Sequence, residues 1–405
     1  MDLIELSKDK LTLGMSLAYT LRDDKGLVLL AKGHRIESAQ QLNGLRSRSK
    51  LFVEIDESED GVRIMMSGIT ALNLVGAPIK DFSKYMTVDR QHSPNEVIVG
   101  TLVERWGTVE SKLGGLLASV STTPEFDAKI RGLAQNIQLL MAREPAASQF
   151  LLFNRAITQF QNYSVTHCLL CAALVQSLVG LFELDEAQGC SLVCAALTMN
   201  VAMTRLQDQL ALQKEPVTVI QRREIEAHGS AGRQALVSAG VTDSLWLEVV
   251  EQHHATVSGP ESLADWPLTE RLIKILQTVD KYTAAMSPRK SRMGRTARDS
   301  VHSVVVQTGG PKLDQVGTAL VKILGVSPPG TYVKLANGEI AIVMRRGIKP
   351  TEPIVASVIN RNEDPIAEPR LHDTAKPAVA VQATLVASSI RLNLNLENML
   401  KLIPK

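Results

Sequence analysis

The sequence predicts a mainly α-helical protein: a helical bundle with a small α+β module at its N-terminal side and a β-hairpin extension at its C-terminal side. Three observations carry that expectation. Apolar residues recur at helical spacing from about Asn95 to Met286, whereas the opening segment alternates apolar and polar residues with the period of a strand. Late in the chain Asn337 and Gly338 separate two apolar runs, as a hairpin turn would. With 405 residues, 45% hydrophobic and 21% charged, the chain can bury a full core and exceeds one typical domain. Lys and Arg number 44 against 42 Asp and Glu, so no overall field favours nucleic acid or anionic lipid, and any anion site must be local.

Residues 1–75 read as the α+β module. The run Ile4–Ile36 alternates, with a turn at Asp23, Asp24, Lys25 and Gly26 joining two strands. A short helix opens on the Ser38 cap, and Lys50–Asp56 returns as a strand, with His34 a lone surface residue. Residues 76–145 read as a helical connector. Its helix pair, Asn95–Val120 and then Glu125–Phe153 after the turn at Thr122, Thr123 and Pro124, either makes a homodimer contact or packs on its own domain.

Residues 146–330 form the helical domain that carries the chemistry. Helices are expected within Asn162–Phe182, Glu186–Met203, Gln221–Gly240, Val241–Ala255 and Thr269–Met286. Cys168 with Cys171 and Cys190 with Cys194 have spacings that hold zinc when placed on turns. Both pairs fall inside apolar helical runs, so they read as reduced, buried thiols. Residues 331–405 hold the hairpin, then strand-like Ile354–Ile359 and Ala378–Leu385 between turns, and a final strand or short helix. The dipeptide His372–Asp373 falls between Pro369 and Pro377 and reads as an accident of a loop.

Taken singly, His167, His228, His253, His254 and Asp280 are ordinary core or surface residues; their order and spacing give them more weight. His167 in SVTHCLLCAALV, His228 with Gly232 in AHGSAGRQAL, the doublet in VEQHHA and Asp280 in TVDKYTAAMSPRKSR follow one another in that order. With Leu11–Met15 near the start and GVSPPGTYVKLANGEIAIV near the end, nearly the whole chain resembles the HD-GYP family of HD-domain phosphohydrolases. The resemblance implies an HD-type helical bundle behind a small N-terminal domain. It also implies bacterial cyclic di-GMP signalling, where usual members hydrolyse the dinucleotide with two or three metal ions, often iron or manganese.

Departures from the pattern fall at the centre. The family's His-Asp doublet is replaced by Met199 and Asn200, its following lysine by Met203, and the acid after the double histidine by Ala255. Gly229 stands where proline is usual, and the naming loop is shortened to Thr256–Pro260 with no tyrosine. Hard divalent ions prefer oxygen and imidazole donors, and neither a thioether nor a neutral amide replaces a bridging carboxylate. The expectation is therefore a degenerate member with no assignable catalytic residue. His167, His228, His253, His254 and Asp280 would hold no metal, or a single residual iron or manganese ion. Arg289, Lys290 and Arg292, with Arg295, would bind ligand phosphates as guanidinium forks do, or form an exposed basic loop. Its partner would be cyclic di-GMP or a signalling protein, and the alternative function is a weak metal-dependent cyclic di-GMP phosphodiesterase. No run reaches the roughly 18–20 uninterrupted apolar residues of a membrane span, and the first residues lack a basic-then-apolar leader, so a cytoplasmic location is expected.

Overall fold

Several helices begin here where the sequence supplies a cap. Thr101 and Glu104 form a reciprocal capping box that opens helix α2 (Leu102–Ala118), and Leu102, Trp106, Val109, Leu113 and Leu117 bury one face of it. In this computed structural model the described residues are 3–5, 21–23, 28–30, 36, 38–46, 51–54, 98, 100–292, 294–305, 313–390 and 392–404. Two compact units divide at Ser93 and Pro94.

In the first unit, strands β1 (Leu3–Glu5), β2 (Leu21–Arg22), β3 (Val28–Leu30) and β4 (Phe52–Glu54) form an antiparallel sheet in the order β1-β4-β2-β3. Helix α1 (Ala39–Arg46) connects β3 to β4. Leu21, Ile36, Leu45 and Leu51 make its small core. His34, Leu11–Met15, Gly33 and the residues 24–26 of the expected turn lie outside the described residues.

The second unit is the helical body. The periodic run after Pro124 is two helices, α3 (Phe126–Arg143) and α4 (Pro145–Thr158), where the pattern alone suggested one. Pro145 is the reason: it cannot donate within a helix but suits a first helical position. Helix α5 (Tyr163–Leu178) is buried almost all round and is the axis of the body. Around it pack α2, α3, α4, α6 (Glu186–Thr198), α7 (Thr204–Leu212), α10 (Leu268–Met286) and α12 (Gln315–Leu324). Helices α8 (Val219–Ser238) and α9 (Ser244–Gln252) pack on each other and against the α6 end of the bundle, and α11 (Ala297–Val305) lies on α10. The stretch Glu186–Leu212 is long and apolar enough to cross a membrane by length and composition, but it is mostly buried in this core.

The expected hairpin is present and belongs to something larger. Strands β5 (Tyr332–Leu335) and β6 (Ile340–Arg345) pair antiparallel, with Gly338 at φ +86° in the intervening turn. They sit inside a five-stranded antiparallel sheet of order β8-β7-β6-β5-β9, completed by β7 (Ile354–Ile359), β8 (Pro365–Asp373) and β9 (Val381–Leu385). His372 and Asp373 are not in a loop: they end β8, opposite Val355 and Ile354. Pro369 misled that reading, because an edge strand tolerates proline where a central one does not. The last segment is a short helix, α13 (Leu396–Leu400).

Candidate functional site

Two groups of donor side chains come together in the helical body. His228, on α8, meets His253 and His254, which stand at the C-terminal end of α9; one ligand atom from each lies within 4.8 Å of the others. The closeness depends on a glycine. A Cβ at Gly229 would stand 2.5 Å from the Glu251 carbonyl oxygen, so only glycine lets α8 and α9 approach this far. Gly229→Ala is therefore expected to destabilise the fold by about 1–3 kcal/mol, the usual cost of overpacking, and to open the histidine pair. Urea unfolding together with metal titration checks it, and an unchanged midpoint would remove the glycine from this account.

Hydrogen bonding fixes the protons of two of these rings. Nδ1 of His253 lies 2.7 Å from the Val250 carbonyl oxygen, and Nδ1 of His228 is bonded to the Ile225 carbonyl. Carbonyls only accept, so each Nδ1 carries the hydrogen and each Nε2 of a neutral ring is a bare lone pair. Those two Nε2 atoms face each other at 3.0 Å. Two bare lone pairs repel at that distance, and a cation between the rings would relieve the repulsion. Protonation is disfavoured: burial, with the adjacent His254 and His228, holds the His253 imidazole down at about 3. Burial also lowers His228 below its ordinary value. A ring tethered through Nδ1 to a carbonyl with Nε2 free is how proteins orient a metal-binding histidine, and the C-terminal end of α9 adds a favourable dipole for a cation.

The second group is His167, Cys171 and Asp280. His167 is buried on α5, and its Nε2 lies 2.8 Å from Oδ1 of Asp280 on α10. Burial pushes the Asp280 carboxyl up, but the His167 hydrogen bond and the nearby His253 and His254 outweigh it and bring it to about 2. That electrostatic link shows the two groups to be neighbours. Cys171 Sγ and Thr283 Oγ1 are 3.1 Å apart, and the Tyr163 ring stacks on His167 at 5.7 Å and 8°. Tyr163, His167 and Cys171 recur every fourth residue, so the helical spacing itself could have identified the tyrosine and the cysteine; neither was singled out for the site.

The basic turn after α10 joins this group at one point. Nη2 of Arg289 donates to the Tyr163 hydroxyl at 3.1 Å, and its guanidinium lies 5.1 Å from the ring centroid. Backbone bonds between Arg289 and Arg292 close the turn. The Arg292 guanidinium donates to the Ala284 carbonyl at 2.8 Å, and the side chains of Lys290, Arg292 and Arg295 are exposed.

The end of α6 is neutral. Met199 is fully buried and Asn200 nearly so. Ala255 follows the doublet, its carbonyl held by Gln277 of α10, and the short loop beyond it is pinned where Trp266 Nε1 donates to the Pro260 carbonyl at 2.8 Å. Asp280 is thus the only carboxylate in the two donor groups. Three imidazoles with converging nitrogens fit one divalent ion; one carboxylate, already bonded to His167, does not fit two. Beside the α6 end lies a cleft of about 790 Å³ whose lining includes Met203, Arg205, Glu110, Asp208 and Glu224, and none of the five site residues. Three acids against one arginine make it a poor receptor for phosphate.

No protein-family model matches the chain. It is similar to a cyclic di-GMP phosphodiesterase of Pseudomonas aeruginosa, 23% identical over 217 residues, or 53% of this chain. That alignment spans about half, 51%, of the length of the relative. A solved HD-GYP-type protein of Bdellovibrio bacteriovorus superposes with a TM-score of 0.44 at 12% identity, over 79% of this chain and 98% of its own.

Proposed function

We propose that this chain is a degenerate HD-GYP-type protein of bacterial cyclic di-GMP signalling, one that binds its ligand without hydrolysing it. The similarity to a cyclic di-GMP phosphodiesterase supports the ligand class. The reading rests chiefly on the single carboxylate. Dinuclear hydrolysis needs anionic ligands to hold two cations and to lower the pKa of a bound water, and Met199 and Asn200 supply no charge where such a ligand would stand. A nucleotide would meet the Arg289–Arg292 turn, whose guanidinium groups suit phosphate oxygens, with Tyr163 beside it.

A second reading has an observation of its own. The facing Nε2 atoms of His228 and His253 favour one residual divalent ion, with His254 completing the set. An ion there would act as a Lewis acid, and a weak phosphodiesterase would follow if substrate reached it.

One experiment separates the two. Purified protein loaded with manganese is mixed with cyclic di-GMP, and both binding heat and linear product are followed. Binding without turnover is expected, weakened about tenfold or more by Arg289→Ala with Arg292→Ala, since charged hydrogen bonds contribute about 1.5–3 kcal/mol each. Turnover abolished by His254→Ala and by Asp280→Ala would replace the first reading with the second. Absence of any binding would leave a protein-interaction module.

A further inference from the structure

Of the four cysteines, three are buried. Cys190, on the second turn of α6, is the exception, being half-buried. Its sulfur faces a cation. Nη1 of Arg131, from α3, lies 3.7 Å from Cys190 Sγ, and Cys194 stands one turn along α6. The arginine is not free to swing away. Its Nε donates to Asp127 at 2.8 Å, its Nη2 to Asp243 at 2.9 Å, and its guanidinium lies 5.6 Å from the Trp246 ring centroid. Asp243 is itself fixed by Ser191 Oγ at 2.7 Å and by the Trp246 backbone amide. A rigid, permanently charged fork is thus aimed at a partly exposed sulfur, the setting in which thiols become reactive.

We propose that Cys190 is a thiolate poised for oxidation by peroxides, a modification site separate from the histidine groups. The thiolate attacks one oxygen of hydrogen peroxide; the S–O bond forms as the O–O bond breaks. Sulfur gives up two electrons, and the departing hydroxide takes a proton from solvent to become water, leaving the sulfenic acid. Electrostatics agrees with the geometry. The neighbouring Cys194 thiol first, then the Arg131 cation, outweigh burial and the Asp243 charge and bring the Cys190 thiol down to about 6. Burial instead pushes Cys168 up to about 12, and raises Cys171 and Cys194. Cys194 therefore stays a thiol beside the oxidised sulfur.

The full-length chain, reduced and freed of reductant, is the material for the test. Thiolate absorbance near 240 nm at about pH 7 should amount to roughly 0.9 equivalent, the ionised fraction of a thiol of that acidity, and should vanish in Cys190→Ser. After hydrogen peroxide, dimedone should label Cys190 and leave the other cysteines unlabelled by peptide mass spectrometry. Arg131→Gln should lower the thiolate signal and slow labelling about tenfold, and Arg131→Lys should restore part of both. Absence of thiolate at neutral pH in the folded wild-type chain would overturn the proposal without recourse to any variant. Equal labelling of wild type and a folded Arg131→Gln would overturn it as well.

Discussion

Manganese or ferrous iron, added in excess to chelator-treated protein, is expected to bind as one equivalent per chain and to raise the unfolding midpoint by roughly 5–10 °C. The estimate assumes free metal at about 100 times its dissociation constant, which contributes about 2.7 kcal/mol to a folded state that alone binds it, at roughly 2–4 °C per kcal/mol. His253→Ala should abolish the shift, because it removes one of the two nitrogens that face each other at 3.0 Å. His167→Ala should reduce it far less, since that ring is committed to Asp280. Elemental analysis of the loaded protein checks the stoichiometry. Two ions per chain would restore a dinuclear centre; none would leave the imidazoles as a hydrogen-bonded remnant.

Acid should unfold the metal-free protein steeply, and the histidines should account for much of the slope. Folding holds His253 at about 3, against 6.5 for an ordinary histidine. Its contribution to stability is therefore complete above about pH 6.5. It declines as the pH falls toward 3, because the unfolded chain takes up a proton that the folded one refuses. The slope is about 1.4 kcal/mol per pH unit for each such group, so roughly 3 kcal/mol disappears between about pH 6.5 and 4.5. His228 changes in the same direction. Asp280 joins lower down: its carboxyl is brought from 3.8 to about 2, so its contribution is present above 3.8 and is lost as the pH drops through 2. Urea midpoints taken across this range for wild type and His253→Ala test the account, and parallel slopes would refute it.

Much of the helical body was legible because local rules govern it. The apolar face of α2 and the Asn337–Gly338 turn each follow from a few neighbouring residues, whereas the Thr101–Glu104 capping box, which starts the helix at Leu102 rather than near Asn95, went unread. The β8 strand was not legible, since Pro369 reads as a break unless the strand is known to lie at an edge. At the site, the order of the histidines named the candidates but could not say which would meet. That His167 bonds Asp280 while His228 meets His253 depends on α5 packing on α10 and α8 on α9, contacts made across 113 and 25 residues of sequence. Gly229 shows the difference most plainly: in sequence it is a departure from a proline, and in space it is the contact that lets two helices touch.

Helix α9 is only nine residues long, about 14 Å from end to end. One end is gripped: Asp243 caps it and is clasped by Arg131 and Ser191, while the Trp246 indole is tied to Thr198 of α6 at 2.7 Å. The other end presents His253 and His254. So short a helix has no room to bend, and it behaves as a strut. A shift of the Asp243 clasp is therefore expected to reach the histidines through nine residues, and metal titration of Arg131→Gln tests whether an arginine at one end of the helix helps to align the imidazoles at the other.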